Sequence, residues 1–213
     1  MLELSQLALF TAAALILAIT PGPGIFYVAA RTLSGGRAEG IASSLGTGIG
    51  GSVHVIAGAL GVSAIVLASA ELFTALKLIG AAYLVFIGWR TFQSARRESA
   101  PDLSVMVEPP HGVRRAFREG ILVEALNPKT AAFFLAFIPQ FIDPAGAVAL
   151  QFVVLGLISV TLNTLADVVV AFAASRIRAG AASRPELIRR LREASGGAMV
   201  LLGLGLAFAR RPA

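Results

Sequence analysis

The sequence predicts an all-α polytopic membrane protein, six transmembrane helices forming two inverted three-helix repeats in which helices 1 and 4 are broken. Three observations lead there. Of 213 residues, 56% are hydrophobic and only 14% are charged, against about 25% charged in a soluble domain; the mean hydropathy is +0.80. Five or six stretches of about 20 nearly uncharged residues could each cross a hydrocarbon core of about 30 Å as a helix rising about 1.5 Å per residue. Basic residues collect in alternate connections. A soluble globule is excluded, and six spans leave no length for a separate catalytic, nucleotide-binding or receptor domain. Residues 1–213 are expected to form a single membrane domain: repeat 1 over about 1–92, a polar cytoplasmic loop over about 92–112, and repeat 2 over about 113–213.

Span 1 runs from Leu4 to about Leu33 and is interrupted at Pro21 to Gly24. Met1 to Thr20 contains Glu3 but no Lys or Arg, so it lacks the basic start of a signal peptide and is expected to be retained. Thr20-Pro21-Gly22-Pro23-Gly24 removes two amide donors and adds two glycines, which ends a continuous helix. Carbonyls left unpaired at membrane depth are tolerated only against protein or a water-filled cavity. The amides from Gly24 to Phe26 open a half-helix whose positive end suits a carboxylate; the alternative is a kink that only shapes the bundle. Span 2, Ile41 to Ala68, sets Gly46, Gly50, His54 and Gly58 four residues apart, with Ser43, Thr47 and Gly51 beside them. Small residues there permit close helix contact, and His54 reads either as a packing hydrogen bond or as a lining, proton-handling group. Span 3 covers Leu72 to Thr91. Tyr27 and Tyr83 are candidates to line a site, Trp89 is an interfacial anchor, and His111, in the polar loop from Phe92, is assigned nothing.

Span 4 runs from Val113 to about Phe141 and is broken at Asn127-Pro128-Lys129, with Glu124 one turn earlier. Span 5, Ala145 to Ser175, carries Ser159, Asn163 and Asp167 at every fourth position, a polar stripe along one face. Charges at such depth mark by default a substrate, ion or proton path. The structural alternative is a buried network of Asp167 with Lys129 or an interfacial arginine, and a hydrated Glu124 near the cytoplasmic end. Span 6 covers Ala194 to Ala209.

The connections after spans 1, 3 and 5 hold fourteen arginines, Arg31 and Arg37 among them, whereas the other side holds Lys77, Arg210 and Arg211. The positive-inside rule then puts both termini outside the cytoplasm. Laying Pro21 on Pro128, an offset of 107, makes both halves start together, and after a small slip Gly80, Ala81, Leu84 and Gly88 fall on Gly197, Ala198, Leu201 and Gly205. The first loop is basic while its counterpart carries only Asp143, as halves entering from opposite sides require. An inverted repeat with matched breaks points to a secondary transporter and to its binding site.

Other chemistry is poorly served. Without cysteine there is no disulfide, thiolate metal site or thiol nucleophile. The net charge of +6 sits at helix ends, which argues for a membrane and against nucleic acid. Gly61-Val62-Ser63-Ala64 resembles an intramembrane protease nucleophile motif, but His54 lies about 13 Å away along the same helix and cannot act as its base. Glu124, Asp167 and His54 follow no metal-ligand spacing, and Gly22-Pro23-Gly24 lacks the ending of a phosphate loop. No enzyme, metal site or cofactor is expected.

Thr20-Pro21-Gly22-Pro23, Gly36-Arg37-Ala38-Glu39-Gly40 leading to Leu45-Gly46, Lys77 to Leu84, and Asn127-Pro128-Lys129 followed by Phe137-Ile138-Pro139-Gln140-Phe141 resemble, in that order, the LysE/RhtB family of bacterial amino-acid exporters. The resemblance spans nearly the whole chain. It implies a six-helix plasma-membrane exporter of amino acids or their derivatives, driven by proton antiport and often a homodimer. Related families move metal ions, and a non-transporting scaffold could use the same packing glycines. The expected substrate site lies between the breaks: Thr20, Pro21, Gly22, Pro23, Gly24, Asn127, Pro128, Lys129 and Asn163. Half-helix amides would take a carboxylate, Asp167 or Glu124 an ammonium, with Asp167, Glu124 and His54 as the candidates for proton coupling.

Overall fold

The computed structural model describes residues 4–68, 70–97, 110, 112–180 and the single positions 190, 193, 197, 200, 201 and 204. Every regular element among them is helical: α1 (Leu4–Ile19), α2 (Pro23–Gly35), α3 (Arg37–Ala68), α4 (Ala70–Arg97), α5 (Val113–Ala125), α6 (Pro128–Ala132) and α7 (Val148–Gly180). After α6 the chain continues as a π-turn, Phe133–Phe137, and a 3-10 turn, Ile138–Phe141. Span 3 was expected to end at Thr91, but α4 continues to Arg97 and takes up the start of the polar loop. Span 5 similarly begins later and ends later than expected, because Pro144 and the Asp143–Gly146 turn hold the chain off until Val148. Of span 6 only the helical positions 197, 200, 201 and 204 are described, and His111 and most of the loop before it lie outside the described residues.

Proline chemistry sets the breaks between α1 and α2 and between α5 and α6. Pro23 opens α2 and Pro128 opens α6, each at a first position where no amide donor is missed. The axis turns by 47° between α1 and α2 and by 41° between α5 and the segment Pro128–Phe141. By length and composition, Val148–Arg176 within α7 is apolar enough to cross a membrane, as is each bent pair taken as one span. The 32 residues of α3 would extend about 48 Å, although its glycines, serines and His54 dilute its apolar character.

Polarity runs opposite to that of a water-soluble domain. On α3, Leu45, Ile49, Val53, Ile56 and Leu60 are all exposed, three or four residues apart on one face, while Ser43, Ser44 and Thr47 are buried. Glu124, Asn127, Lys129 and Asp167 are likewise inside. Such an arrangement suits lipid outside and a polar path within.

Two contacts hold the frame. A Cβ on Gly46 or Gly50 would strike the carbonyls of Phe117 and Ile121, so α3 and α5 approach backbone to backbone. An aromatic core closes one end: Phe10, Phe133, Phe137 and Phe141 pack with centroids 4.8–6.2 Å apart, and Phe134 meets Phe152 of α7 at 6.2 Å.

Candidate functional site between the helix interruptions

At the end of α1, Leu17 would ordinarily bond the amide of residue 21, but that residue is proline and has none. The chain tightens instead, Thr20 N donating to Leu17 O at 3.1 Å. The Lys129 ammonium then donates to Leu17 O at 3.2 Å and to Thr20 O at 2.9 Å. Thr20 Oγ1 donates back to Ile16 O at 2.7 Å. The Lys129 stem lies on Gly22, where an added Cβ would stand 3.2 Å from Cδ and Cε. A cation at the negative end of α1 is electrostatically favoured.

The second interruption repeats the device. Glu124 O would bond the amide of residue 128, again a proline. Asn127 N donates to Glu124 O at 3.0 Å, and His54 Nε2 lies 2.9 Å from the same oxygen. A carbonyl only accepts, so Nε2 carries the proton. Asn127 caps α6, its Oδ1 accepting from Lys129 N at 3.0 Å. Its Nδ2 donates to Glu124 Oε2 at 2.9 Å, and Thr130 Oγ1 donates to Oε1 at 2.6 Å.

Glu124 also reaches the half-helix end that was expected to suit a substrate carboxylate. Its Oε2 stands at the opening of α2, 2.8 Å from where a Gly24 Cβ would be. The positive end of that helix therefore already faces a carboxylate belonging to the chain.

Asp167 is fully buried on α7. Its Oδ2 accepts from Thr47 Oγ1 at 2.7 Å, while Oδ1 has no hydrogen-bond partner among the described residues. Among the described residues no direct ion pair joins Asp167 to Lys129, whose ammonium donates to α1 carbonyls instead, although the two charges act on each other through space. One turn before Asp167, Asn163 lines a cavity of about 10 Å³, room for roughly one water. Thr47, Glu124, Thr130 and Ser159 supply its other polar walls, and Phe134 an apolar one.

The structure thus gathers Thr20, Gly22, Gly24, His54, Glu124, Asn127, Lys129, Asn163 and Asp167. Pro21, Pro23 and Pro128 act on the backbone. Thr130 was missed by residue-type reasoning; a hydroxyl six residues beyond a buried carboxylate is a faint signal. Thr47 was read only as a packing residue.

Two expectations move away from this centre. Tyr27 does not line the cavity: its hydroxyl lies 2.9 Å from Ala116 O and 3.1 Å from Glu119 Oε2, tying α2 to α5. Arg31, counted among loop cations, is buried, with Nη1 4.0 Å from Glu39 Oε2. Glu39 Oε1 accepts from Gly112 N at 2.8 Å, which fastens the start of α5 to α3.

The family model for LysE type translocator matches residues 15–210. An uncharacterized membrane protein of Vibrio cholerae is 31% identical over 198 residues, covering 92% of this chain and 94% of its own. The homoserine/homoserine lactone efflux protein of Salmonella typhimurium is 30% identical over 195 residues, covering 92% of each chain. An uncharacterized membrane protein of Pseudomonas aeruginosa is 32% identical over 193 residues, 90% of this chain and 89% of its own. No solved structure matches. A family model spanning nearly the whole length, laid over an all-helical chain with an apolar exterior and charges inside, makes this protein a member of the LysE type translocators, a multi-pass membrane transporter and not an enzyme.

Proposed function

We propose that the protein is a secondary exporter of amino acids or amino-acid derivatives across the bacterial plasma membrane, driven by proton antiport. The observation that carries this is the Glu124 carboxylate. It lies in the wall of a polar cavity at the meeting of the two interruptions, held by two neutral donors and by no cation within ion-pair distance among the described residues. A buried carboxylate so placed is a receptor for an ammonium group. The relative named for efflux of homoserine and its lactone supports the same emphasis. Those two solutes share an α-ammonium, whereas ring closure removes the lactone's free carboxylate. A site that reads the ammonium first would accept both, and the helix end suited to a substrate carboxylate already faces Glu124.

Asp167 is the proposed proton carrier, one turn from the cavity, with one oxygen unpartnered. Inverted repeats are the proposed architecture, supported by the offset of 107 that relates Leu17 to Glu124, Thr20 to Asn127 and Pro21 to Pro128. Both pairs close with the same short bond, 3.1 and 3.0 Å. Each is then met by a side chain of the other half, Lys129 in one case and His54 in the other.

The test is efflux from proteoliposomes loaded with radiolabelled homoserine, other short polar amino acids or their lactones and amides, with and without an imposed pH gradient. Acceleration by the gradient, with retention of solutes lacking an ammonium, is the expected result. Efflux of none of these, or of divalent metal ions alone, would replace the reading.

A further inference from the structure

The Lys129 ammonium sits where a monovalent cation would sit. Leu17 O and Thr20 O converge on Nζ from 3.2 and 2.9 Å, and proline at position 21 is the reason that Leu17 O has capacity to spare. Carbonyls of unwound backbone and of half-helix C-terminal ends are the groups with which membrane transporters hold inorganic cations. Here the positive charge is delivered by the chain itself from a residue 109 positions on. Neither Glu124 nor Asp167 accepts a hydrogen bond from it; both carboxylates act on its charge through space, but its direct contacts are to the main chain. The stem runs closely along Gly22, where a Cβ would press on Cδ and Cε from 3.2 Å.

We infer that Lys129 is a tethered cation that permanently fills a monovalent-cation site in the first interruption, so that the translocator keeps this backbone open without Na⁺ or K⁺. Removing the ammonium uncovers a site for a small free cation. Lys129 is then a positioning residue and not a ligand of the transported solute.

Thermal unfolding of the purified protein in detergent tests this at equal ionic strength in sodium, potassium, ammonium, methylammonium, tetramethylammonium and choline chlorides. Wild type is expected to melt at the same temperature in all six, and its efflux to be indifferent to replacing sodium by choline. Lys129→Met, which keeps the stem and loses the charge, is expected to melt about 5–10 °C lower in choline. Ammonium or methylammonium should restore at least half of that loss in a saturable manner, tetramethylammonium none. Lys129→Arg should show little dependence on the added cation. A wild type that needs sodium or potassium would overturn the inference, as would a Lys129→Met protein of wild-type stability or one that no cation rescues. If Lys129→Met does not accumulate, the wild-type series decides alone. The melting data do not depend on the exporter reading, and proton-driven efflux with no cation rescue would sink only the tethered cation.

Discussion

The two oxygens of Asp167 have different surroundings, one bonded to Thr47 and the other without a hydrogen-bond partner among the described residues. Asparagine can keep the first arrangement, because its amide oxygen still accepts from Thr47. Asp167→Asn should therefore reach the membrane in wild-type amounts yet lose pH-driven efflux at least tenfold, while exchange of solute for solute persists in proteoliposomes. Unaltered gradient-driven efflux would leave Glu124 as the acidic candidate. Glu124→Gln retains an acceptor for Thr130 but removes the charge that an ammonium needs. Charge-assisted hydrogen bonds are worth about 1.5–3 kcal/mol, so both exchange and net efflux should fall about 10- to 100-fold, measured as initial rates. Both carboxylates were legible in the sequence, since an acid deep in an apolar run is conspicuous by itself. Their partners were not. Thr130 becomes relevant only once the chain turns between α5 and α6, and Thr47 only once α3 and α7 are packed, while Lys129 bonds main-chain carbonyls, which no reading of residue types can name.

At the scale of the element, what each proline does is settled within its own turn, and this is why the neighbourhoods of Pro21 and Pro128 could be read from the sequence. What fills the freed carbonyls is settled across the bundle and could not. Replacing Pro21 and Pro23 by alanine restores the amide that Leu17 O lacks, which competes with Lys129 for that oxygen. The double variant is expected to insert and to be stable, but to transport at under a tenth of the wild-type rate; normal efflux by well-expressed protein would count against a working role for the break. The α3 glycines give a second contrast. A methyl group at Gly46 meets the Phe117 carbonyl, whereas one at Gly61 meets nothing within 4 Å. Gly46→Ala should cost about 1–3 kcal/mol through overpacking, and Gly61→Ala should stay within about 0.5 kcal/mol of wild type, both read from melting of the detergent-solubilised protein.

For the molecule as a whole, the helical class and the membrane setting were plain from composition, because hydropathy integrates over the full chain and needs no contact information. Arg31 shows where such counting fails: it entered the tally of loop cations, yet it is buried against Glu39. The remaining arginines still predict an orientation. Reporter fusions after Gly36, Ser99 and Ser183 should be active as cytoplasmic markers, and fusions after Ala145 and Ala213 as external ones; a cytoplasmic C-terminus would dismantle the inverted repeat. The cavity bears on the cell's energy economy. A space for one water, between an aromatic floor and charges already engaged by the chain's own groups, passes no amino acid while the protein rests. If the protein is the exporter proposed above, copies held in this state leak no solute, and every turnover must first widen the space that α1, α3 and α7 line.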